Sequence, residues 1–147
     1  MLYILLLCVV YTSLVEYGLH RWVMHKPWPW RSKYYVEHHV LHHGKNELHH
    51  NISMSPIDAL IIISPVIIFA GFIQLWLMAV PVVFALWYAG TWTIMHNAHH
   101  DLKYAWIKKL PFYEWFRKHH LIHHDVPNKN YGTIFIWTDY LFGTKRR

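Results

Sequence analysis

Three stretches of this chain repeat one histidine spacing. His39, His42 and His43 read HxxHH, His96, His99 and His100 repeat it, and His120, His123 and His124 repeat it again. On an α-helix, residues three and four apart share a face, so each box can turn its imidazoles toward one point. A looser fourth arm is His20 and His25. Five residues apart, these stand about 140° from one another on a straight helix. They face one point only if the helix loosens, or they approach two different ions. Imidazole suits iron, copper, nickel and zinc alike, so donor type alone does not choose the metal.

Ligand arithmetic narrows the reading. His20, His25, His39, His42, His43, His96, His100, His120, His123 and His124 make ten rings. One ion rarely takes more than about six ligands, so ten suit two ions with positions left for oxygen or water. A four-coordinate structural zinc site would leave most of them unused. His99 is an eleventh candidate, between two better-placed positions. His38, His49, His50 and His119 are read as surface residues or hydrogen-bond partners of ligands. Glu16, one turn before His20, is the expected acceptor for its ring N–H, and Asp101, Asp125 and Asp139 are expected to orient other rings. No catalytic group beyond the metal ligands is expected. The single cysteine, Cys8, excludes an intrachain disulfide and any cysteine-based zinc or iron–sulfur site.

The elements that must hold these residues are apolar. The 147 residues are 54% hydrophobic and 18% aromatic, yet mean hydropathy is only +0.11, because apolar runs are segregated from a polar, His-rich remainder. Spans are expected at about 1–22, 57–76 and 79–96, each near the ~20 residues that cross a bilayer. The stretch 1–19 is read as a first span rather than a signal peptide, since it lacks a basic start and carries Glu16. Ser55 and Pro56 open the second apolar region as cap and first helical position. The turn between the second and third spans is expected around Met78, Ala79 and Pro81. The remainder, 23–56 and 97–147, is a helical cap: a Pro-Trp break at 26–34, a polar helix over 35–50, continuation of the third span to Trp106, and a helix over 113–124.

The expected architecture is therefore all-α: an integral membrane bundle of three to four spans with a His-rich cytosolic cap, as one domain. The net charge of +6 comes from residues beside the spans, including Arg21, Lys26, Arg31, Lys33, Lys45, Lys103, Lys108, Lys109 and the Lys145–Arg147 tail. That favours a membrane surface over nucleic acid. The positive-inside rule puts every histidine arm on the cytoplasmic face, of a bacterial inner membrane or the endoplasmic reticulum.

HRWVMH (20–25), HVLHH (39–43), HNAHH (96–100) and HLIHH (120–124), followed by NYG (130–132) and DYLFGT (139–144), resemble the fatty acid hydroxylase superfamily of sterol desaturases, fatty acid 2-hydroxylases and carotene hydroxylases. The resemblance covers about residues 16–144. It implies two iron ions, for which zinc can substitute in purified protein, activating O2 to hydroxylate or desaturate a C–H bond of a fatty acyl, sterol or carotenoid lipid. It also implies an external ferredoxin or cytochrome-type electron donor. Two departures stand out: His99 is an addition to the third box, and Thr138 precedes Asp139 where many members carry Trp. With three obvious spans against four in larger members, a homo-oligomer or another partner would complete the bundle. Two readings compete: a non-catalytic His-rich membrane metal-binding protein, and a lipid-associated protein with a pH-responsive His surface.

Overall fold

The computed structural model describes residues 1–27, 33–44, 53–101 and 103–147. The expectations at 28–32 and for His49 and His50 lie outside those residues. Among the described residues the regular structure is helical, with no strand. Three helices are long and apolar enough to cross a membrane: Leu2–Met24, Pro56–Ile73 and Leu75–His99. The first is α1 (Leu2–Gly18), which runs directly into a π-helix (Leu19–Met24). A short α2 (Lys33–Tyr35) leads into a second π-helix (Val36–Gly44). Next come α3 (Pro56–Ile73), a 3-10 turn (Leu75–Met78) and α4 (Ala79–His99). A 3-10 turn (Ala105–Lys109), α5 (Tyr113–Asp125) and α6 (Trp137–Leu141) complete the fold.

Local chemistry sets the helix ends. Ser55 caps α3 by accepting from the Ile57 N–H (3.2 Å), with Pro56 at the first position. The turn after α3 falls at Gln74, whose extended backbone breaks the helix, and not around Pro81 as expected. Pro81 instead sits in the first turn of α4, where its missing N–H would have had no intrahelical acceptor. α4 also stops at His99 rather than running to Trp106. Asp101 and Tyr104 take left-handed backbone angles (φ 61° and 62°) that turn the chain back. The Asp101 carboxylate then pairs with Lys108 and with Arg117 (2.9 Å).

In a bilayer, helices associate by close packing, because lipid tails are as apolar as leucine. Ala59, Ala70, Ala85 and Ala89 are buried where α1, α3 and α4 meet, interleaved with Ile4, Ile63 and Phe84. The bulky residues point outward: Phe72 is 87% exposed and Leu75 80%, as lipid-facing side chains should be. α1 and α4 run one way and α3 the other. Both π-helices, the start of α3, the end of α4 and α5 therefore gather at one end of the bundle, and every described histidine lies on that side.

Candidate metal centre

The histidines divide into two groups. His20, His25, His38, His43 and His123 each bring a ring nitrogen within 4.8 Å of the others, and His42, His100, His120 and His124 do the same. In the first group His20 Nε2 lies 2.9 Å from His38 Nε2, His25 Nε2 3.0 Å from His123 Nε2, and His43 Nε2 3.2 Å from His38 Nε2. In the second, His120 Nε2 lies 2.8 Å from His100 Nε2 and 3.2 Å from His124 Nε2. The groups adjoin: the His43 and His124 rings stack with centroids 4.2 Å apart.

Two of the three boxes are split between the groups instead of converging on one point, and the box at 96–100 gives only His100, to the second. On the second π-helix His38 and His43 serve the first group and His42 the second. On α5 His123 serves the first, and His120 and His124 the second. The π-helix explains the membership. Its i→i+5 hydrogen bonds bring residues five apart onto one face, which α-helical bonding does not. His20 lies on the first such segment and His25 caps its C-terminal end, and His38 and His43 lie on the second. His38 therefore takes the place that the sequence reading gave to His39. The signal was available: the interval of five from His20 to His25 recurs from His38 to His43.

The remaining candidates lie at the margins. His39 is half-buried, with Nδ1 3.2 Å from His25 Nδ1 and its ring stacked on Tyr35. His96 adjoins the second group, its centroid 4.9–5.1 Å from those of His42, His100 and His120, and stacks on Trp92. His99 is fully buried beside His120 and Tyr113.

The chemistry of the donor set fits metal ions. His20 Nδ1–H donates to the Tyr131 carbonyl (2.5 Å) and His123 Nδ1–H to the Lys129 carbonyl (2.7 Å). A carbonyl only accepts, so each Nε2 keeps its lone pair and turns it into the group. Ring nitrogens at about 2.1 Å from one ion and at right angles would be about 3 Å apart, the separation found here. Buried ring nitrogens of His38, His43, His96 and His99 have no hydrogen-bond partner among the described residues. Burial, then repulsion from neighbouring rings, pushes the His25, His38, His43, His120, His123 and His124 pKa values well below the usual histidine range. Burial and the Arg117 charge push His100 down to about 4. At neutral pH these rings are uncharged, as ligation requires.

The acids act differently from the expectation. Glu16 does not touch His20. It accepts from the Tyr88 hydroxyl (2.6 Å) and from the backbone N–H groups of Thr133 (2.6 Å) and Ile134 (3.0 Å). Asp101 holds Lys108 and Arg117, and Asp125 is exposed at the end of α5. Asp139 is fully buried and accepts from His119 Nε2–H (3.0 Å), which stands in neither group. Burial opposes its ionisation, but hydrogen bonds from His119, Thr144, Gly132 and Tyr131 outweigh this and hold its pKa below the usual carboxylate value.

Two neighbouring cavities share Leu19, Met24, Met54, Ile62 and Trp92 as walls. The larger, about 370 Å3, has Lys33, Tyr34, Glu37 and Asp58 at its polar side. The smaller, about 20 Å3, reaches Glu16, Tyr88 and His20 of the first histidine group.

No curated protein and no solved structure matches the chain. The family model for Fatty acid hydroxylase matches residues 5–144, a stretch that takes in all three spanning helices, both histidine groups and the segment from Asn130 to Thr144 that leans on them. The chain therefore belongs to the fatty acid hydroxylase family, whose members point to membrane oxygenase chemistry.

Proposed function

We propose that this protein is a membrane-bound non-haem di-iron oxygenase that hydroxylates or desaturates a lipid C–H bond. The observation that carries the reading is two adjoining imidazole groups, of five and four rings, with a small apolar cavity that reaches His20 and shares its walls with a larger one. His20, His25, His38, His43 and His123 would hold one ion. His42, His100, His120 and His124 would hold the other, with His96 within reach as a fifth ligand. Iron bound there would supply the activation of O2 and the removal of hydrogen from carbon.

The residues of the chain do the rest. Leu19, Ile62 and Trp92 wall off water from the carbon to be oxidised, and His20 sets that carbon against the first group. The carbonyls of Tyr131 and Lys129 hold protons at Nδ1 of His20 and His123, keeping both Nε2 atoms free to ligate. Hydroxylation consumes R–H, O2, two electrons and two protons and yields R–OH and water. Desaturation consumes the same co-reactants and yields an alkene and two waters. With one cysteine, these residues carry no iron–sulfur cluster of their own, so an external ferredoxin or cytochrome-type donor supplies the electrons. The basic residues beside the histidine end support docking there and a cytoplasmic orientation. A fatty acyl, sterol or carotenoid lipid matches the apolar walls.

The test is the metal content of detergent-purified protein, beside His42→Ala and His123→Ala. Two ions per chain in the wild type, iron among them, with a loss in both variants, is the expected result. Zinc at the same stoichiometry keeps the two-ion centre and moves the weight to a non-catalytic metal-binding protein. One ion or none, unchanged by either substitution, overturns the proposal.

A further inference from the structure

We infer that residues 129–135 are the positioning element of the five-histidine group, and that Glu16 and Asp139, which never touch a ring of that group, govern its metal affinity by holding this segment. The inference rests on reading the five rings as a metal site.

The Lys129 and Tyr131 carbonyls select the tautomers of His123 and His20. Both lie in irregular chain between α5 and α6, where no helix or sheet ladder fixes the direction of a carbonyl. Side chains fix it instead, through a continuous run of backbone amides. The Asn130 N–H donates to the Thr144 carbonyl (3.1 Å). The Tyr131 and Gly132 N–H groups donate to the two oxygens of Asp139 (2.8 Å each). The Thr133 and Ile134 N–H groups donate to Glu16 Oε1. One carboxylate comes from α6 in the cap and the other from α1 in the membrane, so the segment is clamped between the two layers it joins.

Residue choice along the segment agrees. Asn130 stands at φ 55°, a left-handed angle that asparagine tolerates. Its side-chain amide donates to the His119 and Arg146 carbonyls (3.1 Å each) and accepts from the Arg146 N–H (2.7 Å). Gly132 has no room for a Cβ, which would lie 2.8 Å from Ile136 Cα and 2.9 Å from the Phe135 carbonyl oxygen. Thr144 closes the clamp by donating its hydroxyl to Asp139 (2.7 Å). Lys145 Nζ donates to His119 Nδ1 (2.7 Å), which leaves His119 Nε2–H aimed at Asp139. Partners that orient a ligand through its second nitrogen typically change metal affinity about 10–100-fold when altered.

Asp139→Asn and Glu16→Gln keep the shape but can turn an NH2 donor toward the amides. The probe is cobalt(II), loaded into full-length, metal-stripped protein in detergent and read by stoichiometry and visible absorption. His25→Ala and His100→Ala supply reference spectra for loss of the first and second group. The expected result is two cobalt ions in the wild type, with first-group affinity lowered about 10–100-fold in both carboxamide variants and second-group affinity unchanged. Tyr88→Phe, which strips Glu16 of its hydroxyl donor and leaves the amides alone, should match the wild type. If a carboxamide variant fails to fold, Thr144→Val, which removes one donor from Asp139, should give a smaller loss confined to the first group. Equal weakening of both groups, or wild-type affinity throughout, overturns this inference and leaves the two-ion centre standing. A wild type that takes up no cobalt overturns both.

Discussion

The two histidine groups share α5 and the second π-helix but are assembled by different intervals. The first uses pairs five apart, His20 with His25 and His38 with His43, where the helix is π-wound. The second uses His120 and His124, four apart on α5, with His100 where α4 ends and His96, at the same interval before it, adjoining the group. An interval of four places two rings on one face of an ordinary helix at no local cost. An interval of five needs the poorer winding, which recurs at functional sites because something else supports it. Here the support for the first group is the carbonyl pair of Lys129 and Tyr131. Support around the second is mostly ring on ring, with Trp92 stacked on His96 and His43 on His124. One group is thus ordered from a distant segment and the other by its own helices.

Breaking the interval should produce the largest effect. Deleting Val23 leaves three residues between His20 and His25, an α-helical spacing of four, and removes the need for the π-turn. The expected outcome is loss of first-group cobalt by more than the ~100-fold upper range for indirect partners, with second-group cobalt retained. Cobalt titration followed by absorption measures both. Loss from both groups alike would mean that the interval does not separate them.

The same contrast decides what could be seen in the sequence. Histidine boxes, three spans and the cap on Ser55 were legible because each depends on residue type and an interval of three, four or about twenty. The participation of His38 was not, because an α-helical period sets His38 and His43 on different faces and the chain is π-wound there. Nor was the partner of Glu16. A carboxylate one turn from a histidine suggested a local bond, whereas its acceptor capacity is taken by amides 117 and 118 residues away. Asn130, Gly132, Asp139 and Thr144 were visible as motif letters through resemblance to the family, but their shared task appears only when Asp139 is seen to collect the amides, the hydroxyl and His119. Pro81 misled about the turn because proline is as well suited to a first helical turn as to a break.

A titration sharpens the comparison with a smaller effect. His100 of the second group is lowered by burial and then by the Arg117 charge to about 4. His43 of the first group is lowered to about 2 by burial and neighbouring rings. A folded pKa below the unfolded value of about 6.5 means a contribution to stability that is present above pH ~6.5 and is lost as pH falls toward the folded pKa. Acid should therefore open the second group as His100 charges between about pH 6.5 and 4. Cobalt-loaded protein titrated downward should lose the second-group band over that interval. A band retained in full at pH 4 would contradict the buried placement of His100 beside Arg117.

The smallest expected change tests whether ring stacking alone supports the second group. Trp92 lies nearly parallel to His96, with centroids 4.8 Å apart, and also walls both cavities. Trp92→Leu keeps an apolar wall and removes the stack, a contribution of about 0.5–1.5 kcal/mol beyond area burial. If His96 completes the second group, cobalt affinity there should fall by about 2–13-fold, the same free energy expressed as an equilibrium constant. The first group, held through the Lys129 and Tyr131 carbonyls, should not respond. Trp92→Phe, which can still stack, should recover most of the loss. A fall in the first group instead would place Trp92 behind His20 through the shared cavity wall, and the two groups would be coupled through the lipid pocket as well as through α5.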